Sequence, residues 1–155
     1  MQYTAYLNWQ SNDRPFEVKT YDRTHTIKLG SGTEMNASSA PEFLGNPALV
    51  NPEELFTASI ASCFMLTFLY WAAMKGLKLN HYTSEAIGTL AKNAEGKMAM
   101  TEVIIKPVLT FENNQQPDTA LLDELFKKAH EQCFISSSVK TKVTVLSEQM
   151  ARAQS

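Results

Sequence analysis

Between residues 55 and 74 the chain carries no charged side chain, a run of 20 residues. A helix of that length either crosses a bilayer or is covered on most sides by other protein. The boundaries of the run are marked as helix ends. Asn51 is a good N-cap, Pro52 fits the first helical position, and Glu53 and Glu54 suit the positive end of the helix dipole. Gly76, after Lys75, is a stop signal. These signals predict a helix of about 24 residues, ~36 Å long. Thr57, Ser59, Ser62, Cys63 and Thr67 dilute the apolar run, and no Lys/Arg asymmetry marks an inside face. Strand-like segments lie on both sides of it. The run therefore reads as the buried centre of a soluble fold or dimer, in preference to a membrane span.

Around this helix the pattern switches to strands. Residues 3–9 alternate and are rich in aromatics, and residues 10–15 are a turn by composition. Residues 16–29 favour one long strand or two short ones, through Val18, Tyr21, Thr24, Thr26 and Ile27. Residues 30–50 form a long Gly/Ser/Asn/Pro segment that reads as a loop, of a length that usually covers a functional site. Residues 82–93 and 98–111 predict a hairpin turning at Ala94-Glu95-Gly96, with Pro107 pointing to an edge position or a bulge. Asp118 caps a second helix on which Leu121, Leu125, Ala129 and Cys133 recur at four-residue steps, so Cys133 falls at the helix end on its buried face. Residues 139–146 alternate as a closing strand. The order βββ-α-ββ-α-β predicts an α+β fold of antiparallel strands with two helices. One domain over residues 1–155 is expected, with a frayed tail from about residue 149.

Composition excludes several function classes. The net charge is −2 and the basic residues are scattered singly, which argues against a nucleic-acid surface. The first residues lack a basic stretch followed by an apolar one, so no secretory signal is read there. Two cysteines far apart are too few for a disulfide framework, and a reducing cytoplasm is the expected location. In such a compartment two thiols are free, catalytic or metal-bound. A metal site would have to recruit His25, His81 and His130, yet no Cys-x-x-Cys or His-Glu-x-x-His spacing occurs. Hydrolase chemistry lacks a nucleophile elbow. Taken singly, Cys63 and Cys133 each read first as a buried structural cysteine.

Their surroundings change that balance. Asn51-Pro52-Glu53-Glu54-Leu55-Phe56 followed by Ala58 and Ala61-Ser62-Cys63-Phe64 resembles the signature helix of the osmotically induced protein C and organic hydroperoxide resistance (OsmC/Ohr) family. Ala129-His130-Glu131-Gln132-Cys133-Phe134-Ile135-Ser136 resembles its second cysteine motif. Residues 21–26 and 38–41 are similar to upstream features of one branch. The resemblance implies an OsmC-like fold in which antiparallel sheets wrap two helices, one of them long, central and buried, in an intertwined homodimer. It implies a thiol peroxidase needing no cofactor and no metal, with an organic hydroperoxide as substrate and a small or protein-bound dithiol, such as a lipoyl group, as reductant. Cys63 takes the peroxidatic role, becoming a sulfenic acid, and Cys133 the resolving role.

A thiol near its ordinary pKa is only a few per cent ionised at neutral pH, so a positive neighbour is needed. The family supplies an arginine held by a glutamate. The glutamate carries over to Glu53, about 15 Å from Cys63 along the helix, so it would act by positioning another side chain. For the arginine, Arg23 is the first choice and Arg14 the alternative, with His25 beside Arg23. The sequence departs from the family in carrying Phe134 where many members have Pro, and Phe64 where related sequences often carry His. Phe56, Phe64, Phe68 and Trp71 would suit a bulky apolar hydroperoxide, or would form core. A non-catalytic redox sensor or small-molecule binding protein on the same fold is the rival reading, and a scaffold with inert thiols a third.

Overall fold

The computed structural model describes residues 1–114 and 116–147; the tail expected to fray from residue 149 lies outside them. The chain forms two compact units, Met1–Leu55 and Phe56–Ser155.

The first unit holds a three-stranded antiparallel sheet in the order β1 (Ala5–Trp9), β2 (His25–Leu29), β3 (Glu34–Ala37). Leu7 pairs with Ile27, and Ile27 with Met35. Two expectations are corrected here. Residues 16–24 are not extended: the amides of Thr20 and Tyr21 both donate to the Glu17 carbonyl, and the Thr24 amide donates to the Asp22 carboxylate at 2.9 Å. Local bonds to Glu17 and Asp22 satisfy this backbone, overriding the β-propensity of Val18 and Tyr21. Conversely, residues 30–50 are not all loop. Gly32, at φ 93°, turns the chain so that the Leu29 amide donates to the Thr33 carbonyl, and β3 follows directly. With no β-branched residue, Glu34-Met35-Asn36-Ala37 carries little strand signal.

Helix α1 (Pro52–Met74) carries both end signals. Asn51 Oδ1 accepts from the Glu54 amide at 2.9 Å while Glu54 Oε2 accepts from the Asn51 amide at 3.1 Å, a reciprocal cap that satisfies two donors. At the other end Gly76 adopts φ 72°, its amide donating to Ala73 O and that of Leu77 to Ala72 O. A left-handed residue is what this termination requires.

The second unit contains the rest of α1, then the hairpin β4 (Leu79–Lys92) and β5 (Met98–Phe111), helix α2 (Thr119–Gln132) and strand β6 (Lys142–Val145). Asp118 caps α2, accepting from the Leu121 amide at 2.7 Å. The sheet order is β4-β5-β6, and β6 runs parallel to β5. This corrects the all-antiparallel expectation: the segment carrying α2 supplies the long crossover that a parallel pair of neighbouring strands needs. Because β6 pairs only with Glu102–Ile105, the β5 segment at Pro107 has β4 alone beside it. Pro107 thus occupies a local edge inside a central strand, where its missing N–H costs nothing.

Ile60, Phe64, Phe68 and Ala72, one face of α1 at four-residue steps, form the core with Val103, Ile105, Leu109 and Phe111 of β5 and Leu122, Leu125, Phe126 and Ala129 of α2. Phe126 stacks on Phe68 with ring centroids 4.9 Å apart and on Phe64 at 6.2 Å. Gly88 of β4 lets the sheet approach α1 closely, since a Cβ there would collide with the Thr57 side chain. By length and composition α1 could cross a membrane, but its buried face is the spine of this core. The opposite face, with Leu66, Tyr70 and Met74, is exposed within the chain. A single chain thus covers the helix along one face only.

Candidate active site: a paired thiol centre

Cys63 lies in the middle of α1, next to the core residue Phe64 and half-buried at the flank of the buried stripe. The Thr67 hydroxyl donates to its carbonyl at 2.9 Å. Cys133 is the residue that ends α2, with extended backbone (φ −70°, ψ 111°), and it is completely buried. Both are free thiols. The structure brings them near one another: both pack in the same core cluster, and Cys63 is close enough to act on the ionisation of the Cys133 thiol.

Burial pushes the Cys133 thiol up from its ordinary pKa, and the neighbouring Cys63 pushes it further in the same direction. Ser136 works the other way through its hydroxyl and its amide, the latter donating to Cys133 Sγ at 3.4 Å. Cys133 is therefore held as a neutral thiol beside Cys63. Two links fasten this end of α2 to α1. Trp71 Nε1 donates to Gln132 Oε1 at 3.0 Å, and the Lys128 ammonium sits 4.7 Å from the Trp71 ring centroid.

Phe64 and Phe68, considered as possible walls for a bulky substrate, are fully buried in the core and do not line an opening; Phe56 and Trp71 are partly buried against it. Ser136 closes the second cysteine motif, and the motif assigns it no role. Its signal was its spacing three residues after Cys133, where a tight turn returns the amide to the sulfur.

The other candidates belong to the first unit. Arg23 donates to the carbonyls of Val18 (2.8 Å) and Tyr21 (2.9 Å), and its guanidinium lies 4.0 Å from the Tyr21 ring centroid. His25 Nδ1 bonds the Arg23 carbonyl at 2.9 Å. Arg14 acts on Asp22 through its charge. Glu53 is half-buried in the first turn of α1. Since Glu54 makes the reciprocal cap, Glu53 is not needed for it. Among the described residues no group of three His, Cys, Asp or Glu side chains could hold a metal ion.

Asp22 organises the turn that carries Arg23. The Thr24 amide and the Asn12 side chain donate to its carboxylate, lowering its pKa from the usual 3.8 to about 2. A depressed folded-state pKa stabilises the turn above the unfolded value and loses that contribution as pH falls through the folded one. The Thr24 amide resonance is expected to hold its position down to about pH 3 and to shift with a midpoint near pH 2. A midpoint at or above 3.8, followed by NMR, would contradict this.

The fold and the pair of facing thiols define an OsmC-like protein. The sequence matches the OsmC-like protein family over residues 45–148, and the chain belongs to that family. Among solved structures, an OsmC-like protein of unknown function from Vibrio cholerae superposes with a TM-score of 0.87 at 34% identity, covering 95% of this chain and 99% of that one. An organic hydroperoxide resistance protein OsmC from Legionella pneumophila shares the fold at a TM-score of 0.69 and 20% identity, with 95% of each chain covered. The uncharacterized protein YmaD of Bacillus subtilis is 26% identical over 138 residues, 88% of this chain and 85% of its own length.

Proposed function

We propose that this protein is a cytoplasmic thiol peroxidase that reduces organic hydroperoxides to alcohols. The observation that carries the reading is the pairing of a half-exposed Cys63 with a buried, neutral Cys133. The Cys63 thiolate attacks the distal peroxide oxygen. The O–O bond breaks, the alkoxide leaves and is protonated to the alcohol, and Cys63 becomes a sulfenic acid. Cys133 sulfur then attacks Cys63 sulfur, forming the disulfide, and the sulfenic oxygen leaves as water with the thiol proton. An external dithiol, a lipoyl group being one of the right chemistry, returns two electrons and two protons. In this reading Arg23 supplies the charge that favours the Cys63 thiolate and Glu53 orients it, both on the family resemblance. Steady consumption of cumene hydroperoxide with a dithiol tests the reading. One stoichiometric oxidation without turnover would favour a redox sensor, and thiols that resist both peroxide and alkylation would favour a scaffold.

The same reading makes the working form a homodimer. Every residue of β1 is exposed, Leu7 at 69%, and so is the outer face of α1, with Tyr70 at 58%. Apolar faces of this extent on both units call for cover by another copy of the chain. Light scattering at micromolar concentration is expected to return twice the chain mass; a monomer would refute it.

A further inference from the structure

The return half of the cycle requires a leaving group, and the structure indicates which sulfur it is. Cys63 is half-exposed whereas Cys133 has no exposed surface, so an incoming thiolate reaches Cys63. The Cys63–Cys133 bond must then break with its electron pair on Cys133, generating an anion in a dry environment that disfavours it. We propose that Ser136 is a catalytic residue of disulfide reduction, its hydroxyl and amide together receiving the thiolate that leaves on Cys133. The inference rests on the redox-pair reading above.

The geometry is specific to this serine. The 3-10 turn Ser136–Ser138 begins three residues after Cys133. Its backbone is held by the Ser137 amide donating to Cys133 O and the Ser138 amide donating to Ile135 O, each at 3.0 Å. The Ser138 hydroxyl is spent on the Phe134 carbonyl at 2.7 Å. The Ser136 hydroxyl, in contrast, is buried and closes no hydrogen bond, while the amide of the same residue donates to the Cys133 sulfur. A buried hydroxyl with no acceptor is costly, and a weak thiol acceptor does little to relieve it. The thiolate is the strong acceptor that this donor lacks.

The chemistry balances. A dithiol, as thiolate, attacks Cys63 Sγ and forms a mixed disulfide, while Cys133 departs as thiolate. The second thiol of the reductant displaces Cys63, giving a cyclic disulfide. The two protons of the dithiol end on Cys133 and Cys63. Exchange rates rise as the leaving thiol becomes a better anion, so a donor on Cys133 accelerates the first step.

The test bypasses peroxide. The disulfide is formed in the full chain with diamide, and its reduction by dithiothreitol is followed in stopped flow. Ser136→Ala is expected to slow reduction about tenfold, the scale of one hydrogen bond to an anion, and Ser136→Thr to restore most of the rate. Reduction with 2-mercaptoethanol, quenched early, should leave the adduct on Cys63. Equal rates for Ser136→Ala and the native chain, no rescue by threonine, or an adduct on Cys133 would overturn the proposal while leaving the redox pair standing. Failure of diamide to link Cys63 and Cys133 would overturn both.

Discussion

Cys63→Ser is expected to reduce dithiol-dependent turnover of cumene hydroperoxide by at least about 1000-fold, the scale seen when a covalent nucleophile is removed. A serine hydroxyl at that position is almost wholly protonated at neutral pH and is a poor nucleophile towards peroxide oxygen. The loss should fall on turnover and not on folding, because Cys63 stands at the flank of the core and serine preserves its size. Cys133→Ser makes the complementary case. Its chain should consume one equivalent of peroxide and stop, its sulfenic acid passing to sulfinic acid for want of a resolving thiol. Steady-state assay and intact-mass spectrometry check both. Residual turnover within tenfold of native in Cys63→Ser would remove Cys63 from the mechanism.

Phe126→Ala is expected to be the most damaging change to stability, by about 3–5 kcal/mol. The ring is buried on α2 and stacks on both Phe64 and Phe68 of α1. Its removal leaves a cavity that two rigid helices cannot readily close. Against a typical total of ~5–15 kcal/mol, that is a large share. Function should follow, since α2 carries Cys133 to Cys63. In Phe126→Ala, Cys133 is expected to become accessible to alkylating reagents that it resists in the native chain. Urea titration gives the energy; a loss below about 1 kcal/mol would show that the stack is not a support of the core.

Much of this architecture was legible in the sequence because local signals coincided with tertiary ones. The run without charge, bracketed by Asn51-Pro52 and Gly76, fixes α1 to within a residue or two at its end. The four-residue stripe on α2 fixes where Cys133 lies. Strand β3 escaped because four residues of low β-propensity are ordered by pairing with β2, a non-local cause. The direction of β6 escaped for a related reason: alternation reveals a strand and its two faces but carries no information on which neighbour it joins. Of the site, the two cysteines were legible only through their motifs. The approach of the Ser136 amide to a sulfur depends on the turn after α2, which no periodicity encodes.

Cys133 stands where α2 stops, and this gives the two sulfurs unequal freedom. Cys63 has helical turns before and behind it, so its backbone is fixed. Cys133 has already left helical geometry, and its carbonyl is held by one short turn. Any closing of the gap between them is a pivot of that turn. The next residue, Phe134, lies on the surface at 83% exposure. In the proposed cycle, the turn that would close the gap between the sulfurs is thus the one whose first residue places an aromatic ring on the outside.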